Sequence, residues 1–123
     1  MATIKSYTDL EQSKKLEEIL PLESADLKWF FWEGEDPDAP RTPSFGYRKS
    51  VAESYKDTYA IYLPCWSLTA LLSVIPNYKL SSEHNYHTCA AETSFGKVAV
   101  AWFDNPIDAC YELILKLHEL NLL

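Results

Sequence analysis

The chain has 123 residues, 47% of them apolar, with 4 Trp, 8 Tyr and 5 Phe, which suffices for one compact core and leaves little length for a second domain. Its 11 basic and 18 acidic side chains give a net charge of −7, which repels a phosphate backbone and argues against nucleic acid as a partner. The longest uncharged stretch, residues 58–78, is broken by Pro64 and Pro76, and MATIKSYTDLEQSKK lacks the apolar run of a leader, so a cytoplasmic protein without a membrane segment is expected.

Thr8-Asp9-Leu10-Glu11 has the form of a capping box, and Leu10, Leu16, Ile19 and Leu20 recur near helical spacing until Pro21, predicting a first helix. Leu27-Lys28-Trp29-Phe30-Phe31-Trp32 predicts a strand with Trp29 and Phe31 on one side and Phe30 and Trp32 on the other. From Glu33 to Gly46, Gly and Pro punctuate a long acidic loop, a kind of segment that is often functional. Residues 47–59 are compatible with a strand, a hairpin arm or a short helix from Ser50. A second strand is expected over Thr58–Leu63, ended by Pro64, and then a helix over Leu68–Ile75 with Ser67 as N-cap. Three strand-like runs follow, Tyr78–Leu80, Asn85–Ala91 and Lys97–Phe103, with turns expected at Ser81-Ser82-Glu83 and Glu92–Gly96. Asn105 as N-cap, Pro106 at the first helical position and Asp108 in the first turn open a last helix, with Ile107, Cys110, Tyr111, Ile114 and Leu117 on one face. The expected fold is α+β: one domain over residues 1–123, an antiparallel sheet of four or five strands, and N-terminal, central and C-terminal helices mainly on one face.

Chemistry-bearing residues are few. Cys65 stands just ahead of a helix start, where the dipole and free amides favour a thiolate, making it the candidate nucleophile. The Cys-Trp pair superficially resembles papain-like proteases, but that family's preceding Gly and Cys are missing and the chain is too short for its His and Asn. His87 and Cys89, two apart on a strand, share a face and are the candidate metal ligands; two ligands do not complete a site. Cys65, Cys89 and Cys110 are odd in number and set in apolar surroundings, which predicts reduced, buried thiols. With Gly34, Gly46 and Gly96 as its only glycines, the chain has no phosphate cradle, and no cofactor is expected. The carboxylates Glu33, Glu35, Asp36 and Asp38 lack the pattern of an EF-hand loop. Together with Trp32 and Tyr47 at the two ends of the loop, they are the candidate binding residues for a protein partner, because exposed rings dominate interface energetics. Residues 1–40 hold 10 acidic and 4 basic side chains, so nearly all the excess charge lies there.

Three segments carry a family resemblance: Leu10-Glu11-Gln12-Ser13-Lys14-Lys15-Leu16 running into Pro21 and Ala25-Asp26; Pro64-Cys65-Trp66-Ser67-Leu68 to Leu71-Leu72, closed by Ile75-Pro76; and Asn105-Pro106-Ile107-Asp108-Ala109. Together they cover about half the chain, and they resemble a family of small proteins encoded by gut Bacteroidetes and by their phages or prophages. The resemblance implies no activity, cofactor or catalytic residue. The leading expectation is a non-enzymatic cytoplasmic accessory protein, of phage or mobile-element origin, working through the first helix and the loop 33–46. The alternatives are a small thiol enzyme using Cys65 and an acidic mimic that occupies a basic, nucleic-acid-binding partner.

Overall fold

The computed structural model describes residues 5–36 and 41–123. Helix α1, Leu10–Glu17, is opened one residue later than expected: Asp9, not Thr8, is the N-cap. The Asp9 carboxylate accepts from the Gln12 amide at 2.8 Å, and the Gln12 side chain accepts from the Asp9 amide at 3.1 Å. Thr8 is unavailable for capping because it is buried, its hydroxyl 2.8 Å from that of Ser13 and accepting from the Trp66 amide at 3.2 Å.

Strand β1, Leu27–Trp32, has the expected bounds and alternation: Leu27 and Trp29 are buried, while Phe30 and Trp32 are exposed. The long loop does not stay irregular. Ser44–Phe45 forms a two-residue strand, β2, that pairs with Leu27 and Lys28. Of the alternatives for residues 47–59, the short helix is found, as α2, Lys49–Ser54. Strand β3, Ala60–Cys65, runs through Pro64 instead of stopping at it. Proline is tolerated there because β3 is an edge strand in the order β2-β1-β3.

Helix α3, Leu68–Val74, is capped by Ser67 as expected. The meander then forms β4, Tyr78–Glu83, β5, Tyr86–Thr93, and β6, Gly96–Phe103. The turn expected at Ser81–Glu83 lies later: those residues pair with Thr88, His87 and Tyr86, and the reversal falls on His84 and Asn85, at φ 52° and 68°. Two successive left-handed residues match the right-handed twist of a tight hairpin. Helix α4, Pro106–Glu119, begins as expected, with the Asn105 side chain accepting from the Asp108 amide at 2.8 Å.

The strands divide into two antiparallel three-stranded sheets, β2-β1-β3 and β4-β5-β6, rather than one sheet of four or five. The break has a physical cause at the end of β3. Just beyond it, Thr8 donates its amide to the Trp66 carbonyl at 3.0 Å and Tyr7 bridges Ser67, so the chain leaving β3 pairs with the N-terminal segment, and no strand of the second sheet lies beside Ala60–Cys65. The main core lies between α1, α3, α4 and the second sheet, with Leu16, Trp66, Leu71, Cys89, Ile107, Leu113, Ile114 and Leu117 fully buried. Each such aliphatic side chain contributes about 1.5–3 kcal/mol. A smaller cluster of Leu27, Trp29 and Cys65 packs with Tyr7, Leu10 and Leu63 on the inner face of the first sheet.

Candidate interaction site on the first sheet

Alternation along β1 and β3 sends Lys28, Phe30 and Trp32, opposite Pro64, Tyr62 and Ala60, to the face turned away from α1. Tyr55, just beyond α2, stacks at 5.8 Å on Tyr62 and lies 5.1 Å from Phe30 and 6.3 Å from Trp32. Tyr47 lies 5.3 Å from Tyr62, and the Lys28 ammonium sits 5.6 Å over the Tyr62 ring. The Tyr62 hydroxyl fixes the arrangement, accepting from the Arg48 amide at 3.2 Å and donating to the Gly46 carbonyl at 3.4 Å. Gly46 turns the chain there at φ +89°, a conformation a Cβ would strain. Although packed against one another, Phe30 and Trp32 stay 41% and 48% exposed.

Beside the rings runs a groove of about 400 Å³, lined by Glu17, Leu22, Lys49, Glu53 and Lys56 and by β3 from Ala60 to Leu63. Burial pushes the Glu17 carboxyl above its ordinary range, and neighbouring Glu18 adds to this. Burial also raises the Tyr47 phenol, helped by the nearby Glu17.

The candidate binding residues are thus partly assembled. Trp32 and Tyr47, far apart in sequence, belong to one ring cluster through Tyr55 and Tyr62. Glu33, Glu35 and Asp36 form an exposed turn next to Trp32. Glu35 stabilises that turn itself: its carboxylate accepts from the Trp32 amide at 3.0 Å, and its amide donates to the Trp32 carbonyl at 3.2 Å. The Asp36 carbonyl accepts from Arg41 at 2.7 Å, while the Arg41 guanidinium lies 4.4 Å over the Phe31 ring. Asp38 lies outside the described residues.

Cys65 is fully buried, its thiol donating to the Thr8 carbonyl at 3.4 Å and lying 3.6 Å from the Thr8 hydroxyl. Burial pushes this thiol above its ordinary value, the opposite of the expected activation at a helix start, so it is neutral near pH 7. Cys89 is fully buried as well, with its sulfur 3.6 Å from that of Cys110, whereas His87 is half-buried two residues away. All three cysteines carry free thiols. Among the described residues, no group of three or more His, Cys, Asp and Glu side chains is arranged to hold a metal ion.

Sequence reasoning missed Tyr55 and Tyr62 as members of the site. The alternation of β3 marks Tyr62 as facing Phe30 once the β1–β3 register is known, but nothing local marks Tyr55. It also missed a second exposed ring pair, Tyr86 and Trp102, 5.4 Å apart beside a cleft of about 320 Å³. Trp102 is 78% exposed at φ +75°, on the longer side of a bulge where His87–Cys89 faces Val100–Phe103.

No protein-family model matches the chain, and no curated protein or solved structure matches it either.

Proposed function

We propose that the chain is a non-enzymatic interaction module that receives a partner protein on the ring face of Phe30, Trp32, Tyr47, Tyr55 and Tyr62. The observation that carries this reading is the contact among five rings on one face of the first sheet, two of them substantially exposed, beside an open groove. Rings pre-packed against one another lose little side-chain freedom on binding, which is what makes an aromatic anchor effective. The adjacent carboxylates Glu33, Glu35 and Asp36, in the acidic part of the chain, favour encounter with a partner of positive surface potential. Resemblance in the segments around Leu10–Leu16, Pro64–Pro76 and Asn105–Ala109 extends the proposal to an accessory protein of phage or mobile-element origin acting in the cytoplasm.

The test is site-specific photo-crosslinking in cells that produce the protein natively. A photoreactive phenylalanine at Trp32 is expected to yield one discrete protein adduct that disappears with Phe30→Ser. The same group at Phe95, an 86% exposed ring in the β5–β6 turn, is expected to yield none. Equal adducts from both positions would remove the ring face as the contact surface.

A further inference from the structure

We infer that the groove beside the rings receives an extended, near-neutral polypeptide segment of the partner, which adds as a fourth strand to the free edge of β3. This rests on the reading of the ring face as a contact surface and gives it a binding mode.

The hydrogen-bonding phase of β3 follows from two backbone bonds just beyond the strands. Glu33 donates to the Tyr59 carbonyl at 2.6 Å, and Gly46 donates to the Asp26 carbonyl at 3.1 Å. The first makes Glu33 and Tyr59 a bonded pair, so Phe31 with Ile61 and Trp29 with Leu63 are bonded pairs too. The second shows that Asp26 and Lys28 turn toward β2, which is the same phase read from the other side of β1. Ala60, Tyr62 and Pro64 therefore direct their backbone groups away from β1, toward the free edge.

Three features show how this edge is managed. Pro64 has no amide to expose. The Ala60 amide is taken by the Thr58 hydroxyl at 3.2 Å. Trp66, next in the same phase, gives its carbonyl to the Thr8 amide, so the chain's own N-terminal segment already pairs with this edge at its far end. Among the described residues this leaves Tyr62, with both its amide and its carbonyl on the edge and the residue itself lining the groove. A paired donor and acceptor at one residue is the minimal docking point for an added strand, with the Tyr7–Ser67 bridge as the precedent within the fold.

The occupant follows from the walls. Glu17, Leu22, Lys49, Glu53 and Lys56 line the groove together with this edge, and a volume of about 400 Å³ admits one extended chain more readily than the sheet edge of a second copy. The wall charges balance, selecting against a strongly charged segment of either sign. The residue opposite Tyr62 places its side chain on the ring face beside Tyr47 and Tyr55, favouring an apolar or aromatic centre, and its neighbours point toward Leu22, Ile61 and Leu63, favouring aliphatic side chains.

A random peptide library displayed on phage is selected against the full chain, and amide hydrogen exchange is measured with and without the enriched synthetic peptide. The expected result is exchange at the Tyr62 amide slowed by about tenfold or more at saturation, with the Ile61 amide, already bonded to β1, changed little. Ala52→Trp, which fills the groove from the half-buried residue of α2 that lines it, is expected to abolish binding while leaving the thermal midpoint unchanged. Replacing the Tyr62 amide by an ester, which keeps the ring and removes the donor, should weaken binding by about fivefold or more. Three outcomes overturn strand addition. One is a peptide whose binding needs Trp32 but leaves Tyr62 exchange unchanged, which spares the ring-face reading. Another is no enrichment at all, which leaves that reading to the crosslinking result. The last is a free protein that is already dimeric, with Tyr62 protected.

Discussion

The two sheets of this chain close their outer faces differently. The second is built from two tight hairpins, its inner face is sealed by α4, and it exposes Ala99 and Ala101 together with the ring pair Tyr86 and Trp102. The first is assembled from segments distant in sequence, and its outer face carries Phe30, Trp32 and Tyr62. The exposed rings on the second sheet form one pair, Tyr86 and Trp102, whereas those on the first join a cluster of five. The larger contiguous ring surface is the better mark of an interaction site, which is why we propose the first sheet and not the second as the contact surface.

That contrast is sharpened most strongly where the two halves join. Trp66 is fully buried in the main core at the end of β3, and its indole N–H donates to the Ser24 hydroxyl at 2.9 Å. Trp66→Ala should destabilise the chain by about 3–5 kcal/mol in urea unfolding, abolishing the cooperative transition at elevated temperature. A cost as small as that of an exposed ring would mean that the halves do not share one core.

Asp108 is the polar counterpart of that joint. Burial alone would raise its carboxyl, but hydrogen bonds from Lys5 at 2.8 Å, Asn105 at 2.8 Å and Gln12 at 2.7 Å hold it below the ordinary range. A carboxylate lowered in the folded state stabilises fully above its unfolded value, near ~4, and loses that contribution as pH falls through the folded value. Asp108→Asn should cost about 1–3 kcal/mol at neutral pH and flatten the decline in stability on acidification. An unchanged acid limb would show that this carboxylate does not tie the N-terminal segment to α4.

Smaller effects separate the two exposed ring sets. Trp102 holds a bulky side chain at φ +75°, a conformation costing about 1–3 kcal/mol, in exchange for one ring contact with Tyr86. Trp102→Gly should therefore stabilise by about 1 kcal/mol, whereas Trp102→Ala, which keeps the strain, should destabilise by about 0.5 kcal/mol. Destabilisation by both would mean that the Trp102 ring is part of the packing and the second sheet is less open than described. Reversing Glu33 and Asp36 to Lys should change the unfolding free energy measured in urea by less than about 0.5 kcal/mol while slowing association with the crosslinked partner severalfold at low salt.

What the sequence revealed depended on how local each feature was. The strand Leu27–Trp32 and the helix opened by Asn105 and Pro106 were legible because alternation and capping are decided within a few residues. The capping box was misplaced by one residue because Thr8 had a tertiary use, in the buried network with Ser13, Cys65 and Trp66. The hairpin turn was misplaced because polar Ser81 and Ser82 are tolerated on a half-exposed strand, while His84 and Asn85 adopt the left-handed backbone. Division into two sheets was not legible, since it turns on the N-terminal segment reaching the end of β3. The site followed the same rule. Trp32 and Tyr47 stood out as the aromatic ends of an acidic loop, but Tyr55 and Tyr62 join them only through the pairing of β1 with β3 and the turn after α2.

The most direct measurement of the central claim compares two double variants for binding to the partner identified by crosslinking. Phe30→Ser with Trp32→Ser is expected to weaken the complex by about a hundredfold, while Tyr86→Ser with Trp102→Ser leaves it within about twofold of the parent. The opposite ranking, or equal losses from both, would contradict the assignment of the first sheet as the binding face.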